Sequence, residues 1–240
     1  VVIDSIRLYS DKAEGVQALD AIAGWMAQQR FDCVFANTVL CWWVLEAARG
    51  VGCPGIWLIH ESEPPFTHLA AHNDQCARRG LSVLGYAYRT VFVSWATRQV
   101  YAGLDRANSF DVVYNGFDVE ACRARIAGKD RNAMRRKHGF DAESLVFLLP
   151  GTVCERKSQQ DLIRALEMLS PEQVRGCDFV ILGDRPSAYS DEVHDLIRHM
   201  PEGVKSSVRV LSHSTHAEEY FLASDVMISR CAGESVPGGE

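Results

Sequence analysis

The sequence predicts an α/β protein built from two parallel sheets. Three observations carry that expectation. Short apolar, β-rich runs alternate with segments of helical periodicity, the order that parallel strands joined by crossover helices require. The runs are continuous rather than alternating in polarity, as strands covered on both faces are. A turn at Asn115-Gly116, followed by a strongly basic stretch, divides the alternation into two series.

Val16, Leu19, Ile22, Ala23 and Met26 recur at helical spacing, so residues 12–29 read as an amphipathic helix. Residues 31–36, FDCVFA, then form a strand ending at Asn37-Thr38. Residues 39–49 are helical, and Gly50, Gly52 and Pro54-Gly55 turn the chain into the strand 56–59, IWLI. That strand runs straight into His60-Glu61-Ser62-Glu63. A helix over 68–79, a strand over 90–94, a helix over 95–102 and a strand over 112–114 complete the first series, with helices expected on both faces of the sheet. Between Val119 and His138 there are seven Lys or Arg against two Asp or Glu. Such a basic helical stretch can bind membrane lipid or an acidic acceptor, or simply be a solvated hairpin. The second series has strands at 145–149, 179–182, 208–211 and 226–229, with helices after Ser158 and over 190–199 and 216–223.

Bulk properties narrow the function. The 240 residues are 47% apolar and 23% charged, an ordinary globular balance. The net charge of −6 argues against a dedicated nucleic-acid binder. No apolar run reaches membrane-spanning length. The eight cysteines include no CxxC pair, which favours reduced thiols in a cytoplasmic protein over a zinc site.

The stretch from Leu145 to Leu169 carries the chemistry. Pro150 and Gly151 stop a buried strand, a polar loop Thr152–Lys157 follows, and Ser158 with Asp161 reads as a capping box. Leu162, Ala165, Leu166 and Leu169 then share one helix face. Ligands collect beyond the carboxyl ends of such strands. The first helical turn, with its unpaired N–H groups and partial positive charge, favours an anion, and Arg156 and Lys157 add full charges. The segment from Gly151 to Ser158 misses the P-loop pattern because Arg156 stands where its second Gly belongs. No G-x-G-x-x-G occurs, so a dinucleotide-binding dehydrogenase has no support.

Taken in order, FDCVFANT, WLIHES, VVYNGFD, LLPGTVCERKSQ, VILGD, EEYFLASDVMIS and the pair Glu234-Ser235 resemble the loop-end signatures of the family 4 (group 1) retaining glycosyltransferases. That resemblance implies a GT-B-like fold of two facing Rossmann-like domains. Residues 1–116 would be the acceptor-side domain and 117–240 the nucleotide-sugar-binding domain, each incomplete. It implies that Lys157 and Arg156 contact the donor diphosphate, with Gly151 and Thr152 lining the loop. His60 would face the transferred sugar with Glu61 beside it, and Glu234, with Ser235, would contact that sugar. Gly183, Asp184, Leu211 and Ser212 would lie near the nucleoside.

The partners implied are a nucleotide-sugar donor, which is a substrate rather than a cofactor, and a glycan or lipid-linked acceptor of the kind used in polysaccharide biosynthesis. Neither a metal nor nucleic acid is implied. The setting is cytoplasmic, with peripheral membrane contact as an option. Departures from the family pattern are Thr152 in place of an Arg, Ser158 in place of a Gly, and a second glutamate that would fall past Glu240. No Gly-rich loop precedes Val16, so the chain reads as an internal piece of a longer transferase. A non-catalytic nucleotide-sugar-binding module and a GT-B-fold sugar-nucleotide epimerase are the alternatives.

Overall fold

A computed structural model describes residues 13–70 and 74–230 of the chain. They fold as two compact units that divide between Gly116 and Phe117. The first holds a four-stranded parallel sheet of β1 (Val34–Asn37), β2 (Gly55–Ile59), β3 (Arg89–Phe92) and β4 (Phe110–Val112), in that spatial order. One row across it pairs Ala36 with Trp57, Trp57 with Thr90 and Thr90 with Phe110, all buried. Because every strand is added beyond its predecessor, right-handed crossovers place the connecting helices on one face.

That face is closed by Trp42 and Leu45 of the helix Trp42–Gly50, by Leu69, and by Tyr101, whose ring lies 5.0 Å from that of Phe92. Leu19, Ile22 and Met26 of the helix Ala13–Gln29 pack on Ala47 and Ala48, one layer further out. On the other face Phe35 remains 71% exposed. The expectation of helices on both faces therefore fails for this unit among the described residues, since the strand order never reverses.

In the second unit the order does reverse. Its sheet runs β7 (Val208–Ser212), β6 (Cys177–Asp184), β5 (Leu145–Pro150), β8 (Val226–Met227), all parallel. The chain steps outward from β5 to β7 and then returns to the far side of β5. Both faces are consequently covered. Phe179 and Ile181 meet Ile163, Leu166 and Val193 from the helices Gln159–Glu167 and Ala188–His199. Val146, Leu148, Val180 and Leu182 face Met134, Tyr220 and Ala223 from the helices Arg131–His138 and Ala217–Ala223.

The basic stretch spends much of its charge inside this unit. Arg135 is 4% exposed and donates to the carbonyls of Ala223, Ala142 and Ser144 and to Asp225. Arg131 also pairs with Asp225, while Lys129 reaches Glu218 and Glu219 and Lys137 reaches Glu219. These pairs join Lys129 and the helix Arg131–His138 to residues that follow some eighty to ninety positions later, so they fasten the end of the unit to its beginning. Cys33, Cys41, Cys53, Cys122, Cys154 and Cys177 are free thiols, and no described helix is long and apolar enough to cross a membrane.

Glu219 makes this clasp pH-sensitive. Hydrogen bonding from Lys137, joined by Lys129 and His138, outweighs the cost of burial and holds its carboxyl down to about 2 instead of 4.5. A carboxylate with a depressed folded-state value stabilises the fold fully above its unfolded value and loses that contribution as pH falls toward the folded one. The urea midpoint should therefore drop between about pH 4.5 and pH 2. Glu219→Gln should lower the midpoint at neutral pH and flatten its decline in that window, as circular dichroism titrations would show.

Candidate functional site

In a parallel sheet the crevice outside the carboxyl ends of the strands opens where the strand order reverses. In the second unit that point lies between β5 and β8. The loop leaving β5 there is shaped by two glycines. Gly151 has φ +127° and Gly183, next to last in β6 where the register with β7 shifts, has φ +123°. A Cβ on Gly183 would lie 2.4 Å from the Gly151 carbonyl oxygen, so this approach admits no side chain. Pairing continues past the strand ends, with the Gly151 N–H donating to Leu182 at 2.9 Å and the Val153 N–H to Gly183 at 3.2 Å.

The loop then coils into a short 3₁₀ turn, Glu155–Lys157. It brings the stem of Lys157 back over Gly151, with Cε 3.4 Å from where a Cβ would stand. Gly151, Thr152, Lys157 and Gly183 are thus brought together. Arg156 belongs to the same turn. On the β8 side, Arg230 pairs with Asp161 of the first turn of the next helix, at 3.2 Å.

The helix start differs from the sequence expectation. Ser158 sits in the left-handed region at φ +50° and makes no side-chain cap; its hydroxyl donates to the Glu155 carbonyl at 3.2 Å. The capping box is therefore absent, and a Gly at this position would adopt the same backbone without strain. Two of the first-turn donors are also occupied. Gln160 N–H donates to the Tyr189 hydroxyl at 3.3 Å and Asp161 N–H to the Ser158 carbonyl at 3.0 Å. What this edge offers an anion is side-chain charge and helix dipole rather than a row of open amides.

Gln159, which the motif reading passed over, supports the loop. Its side chain is fully buried, donates to the Thr152 carbonyl at 3.1 Å and accepts from Cys154 N–H at 3.3 Å. Thr152 therefore turns its carbonyl inward. Asp184 is similarly committed. It accepts from the Ser190 hydroxyl at 2.6 Å and meets His194 Nε2 at 2.9 Å, which ties β6 to the helix Ala188–His199. Burial alone would raise its carboxyl, but the hydrogen bonds from Ser190 and His194 hold it below the ordinary value. Leu211 packs into the core and Ser212 ends β7 at the exposed edge, with its neighbour His213 donating to the Asp184 carbonyl at 3.3 Å.

No family model and no curated protein matches the chain. Solved structures do. The chain is similar to HepE of Anabaena in complex with UDP, at TM-score 0.73 and 20% identity over 90% of this chain and 57% of that one. It is also similar to a glycosyltransferase of Rickettsia africae, at TM-score 0.70 and 16% identity over 92% of this chain and 57% of that one. A third is the UDP-forming α,α-trehalose-phosphate synthase of Burkholderia vietnamiensis, at TM-score 0.65 and 9% identity over 92% and 57%. HepE has also been solved with UDP-glucose. The fold is that of the GT-B glycosyltransferases. The chain spans a little over half the length of these relatives.

In the first unit, His60 leaves β2 at the carboxyl edge of the sheet, and its Nε2 lies 2.8 Å from Oδ1 of Asn37 at the end of β1. Glu61 is turned to the backbone: its Oε2 accepts from Val39 N–H at 2.9 Å and His60 N–H at 3.1 Å. It fixes the two strand-end loops to each other. Glu234 and Ser235 lie outside the described residues.

Removing the side chain that supports the β5 loop should disturb it measurably. Gln159→Leu keeps the volume but leaves the Thr152 carbonyl and the Cys154 N–H unpaired, at a cost of about 1–3 kcal/mol each. Chemical denaturation should show that loss, while Ser158→Gly folds normally and Ser158→Val, β-branched at a left-handed position, loses stability.

Proposed function

We propose that this chain is the core of a glycosyltransferase that moves a sugar from a nucleotide-sugar donor to a glycan or lipid-linked acceptor with retention of anomeric configuration. The observation that carries the reading is the β5 loop at the strand-order reversal, where Gly151 turns the backbone and the Lys157 stem lies over it. The UDP and UDP-glucose complexes of HepE support a nucleotide-sugar donor and make uridine donors the first to test. Retention, the acceptor class and the roles of Glu234 and Ser235 rest on the family resemblance.

Breaking a sugar–phosphate bond leaves a diphosphate that gains negative charge as the bond lengthens. Cations held beside it stabilise that charge more in the transition state than in the bound donor, which is what lowers a barrier. Lys157 supplies a point charge and Arg156 a planar fork suited to phosphate oxygens. Gly151 lets the backbone approach the phosphates. Gly183 and Asp184 act beneath the site, by admitting Gly151 and by anchoring the neighbouring helix. Ser212 and Leu211 form the β7 side of the nucleoside region. His60, at the carboxyl edge of the first sheet, acts on the transferred sugar. Within this proposal the protein works in the cytoplasm, beside a membrane when the acceptor is lipid-linked.

Calorimetric titration with UDP and with uridine tests the assignment. Lys157→Ala should weaken UDP binding by roughly one to two orders of magnitude, because a charge-assisted hydrogen bond is worth about 1.5–3 kcal/mol and each 1.4 kcal/mol is tenfold. Uridine binding should stay unchanged. Arg156→Ala should have the smaller effect. Equal losses for both ligands would mean that the loop had lost its shape, and no loss for either would place the phosphate site elsewhere.

A further inference from the structure

The carboxyl edge of the first sheet contains a strained residue held in place by partners on the next strand. Thr38, directly after β1, has φ 79° and ψ 155°. Only glycine visits that region readily, and a β-branched residue there costs about 1–3 kcal/mol, so its surroundings must over-determine it. They do. Thr38 N–H donates to the Leu58 carbonyl at 2.9 Å, and its own carbonyl accepts from the buried indole Nε1 of Trp57 at 2.8 Å. The Glu61 carboxylate then ties Val39 on one side and His60 on the other. Three anchors thus fix the backbone on either side of one side-chain contact, that of Asn37 Oδ1 with His60 Nε2 at 2.8 Å.

We propose that Asn37 is a positioning residue for His60, its amide oxygen holding a proton on Nε2 and fixing the plane of the ring. This rests on the reading of His60 as the group that acts on the transferred sugar. An amide oxygen can only accept, so the nitrogen facing it must donate. A neutral imidazole accepts at one nitrogen alone, and with Nε2 protonated that nitrogen is Nδ1. Asn37 thereby sets which nitrogen of the neutral ring is the acceptor. The backbone strain at Thr38 serves to aim Asn37, since a relaxed β1 end would let the amide turn away.

The test uses the whole chain labelled with ¹⁵N-histidine, with His60→Gln identifying the His60 signals. The wild-type ring should show a protonated Nε2 and an unprotonated Nδ1 at neutral pH. Asn37→Leu, which has no acceptor, should show a larger share of the Nδ1-protonated form, and Asn37→Asp, which keeps one, should retain protonation on Nε2. A wild-type ring protonated on Nδ1, or an Asn37→Leu spectrum identical to wild type, would overturn the proposal. If Asn37→Leu does not fold, the wild-type and Asn37→Asp spectra still decide it.

With UDP-glucose as donor, Asn37→Leu should lower kcat for sugar release on the order of tenfold to a hundredfold, the scale of a misplaced reacting group, with UDP affinity unchanged. Asn37→Asp should recover most of that loss. A wild-type chain that binds UDP-glucose without consuming it would defeat the transferase reading, while the spectra would continue to judge Asn37.

Discussion

Where β5 and β6 leave their sheet, the two backbones run too close for any side chain between them. A Cβ on Gly183 would stand 2.4 Å from the Gly151 oxygen and 2.7 Å from its carbonyl carbon. Both residues also sit at positive φ. From this contact the rest of the edge follows. Gly151 can keep its hydrogen bond to Leu182 while turning out of the sheet, Val153 can still reach Gly183, and Lys157 can fold back over the turn. Gln159 then fills the inside of the loop and pairs its backbone. The reversal of strand order places all of this beside β8, where Arg230 closes on Asp161.

The second constraint is the sorting of charge. A chain of net charge −6 needs a local concentration of cations to hold a diphosphate. Most of the cations in the basic stretch have another task, because Arg135, Arg131, Lys129 and Lys137 meet Asp225, Glu218 and Glu219 within the same unit. A buried Arg that satisfies its donors on carbonyls and one carboxylate is costly to break, since removing a partner strands the charge. Two carboxylates near the candidate site are likewise engaged, Asp184 by Ser190 and His194 and Asp161 by Arg230, while Glu155 of the short turn is exposed. The pairing of these carboxylates limits their repulsion of an incoming anion.

Much of the architecture was legible because strands and helices write different periods into the chain. The run 145–149 and the spacing of Leu162, Leu166 and Leu169 needed no partner to be read. Strand order was not legible, since register and reversal depend on contacts between distant segments. The same limit hid Gln159, and what Asn37 and Glu61 bond to. Each acts through a backbone or side-chain group brought near only by folding, as Glu61 does with Val39 across 22 positions. Ser158 was misread for a different reason. Its Ser-x-x-Asp spacing matches a capping box, but a cap needs extended backbone and this residue is left-handed. That His60 and the Lys157 loop follow strand ends was legible, whereas the clasp around Glu219 was not, its partners lying over eighty positions earlier.

The account stands or falls on where a diphosphate binds. A crystal structure of this chain soaked with UDP measures that directly. The account predicts phosphate oxygens within hydrogen-bond distance of the Lys157 ammonium, lying over the Gly151 turn, with the nucleoside toward the end of β7. Diphosphate density at the opposite edge of the sheet, in the cavity lined by Phe140, Asp178 and Arg209, with the Gly151 loop empty, would contradict it.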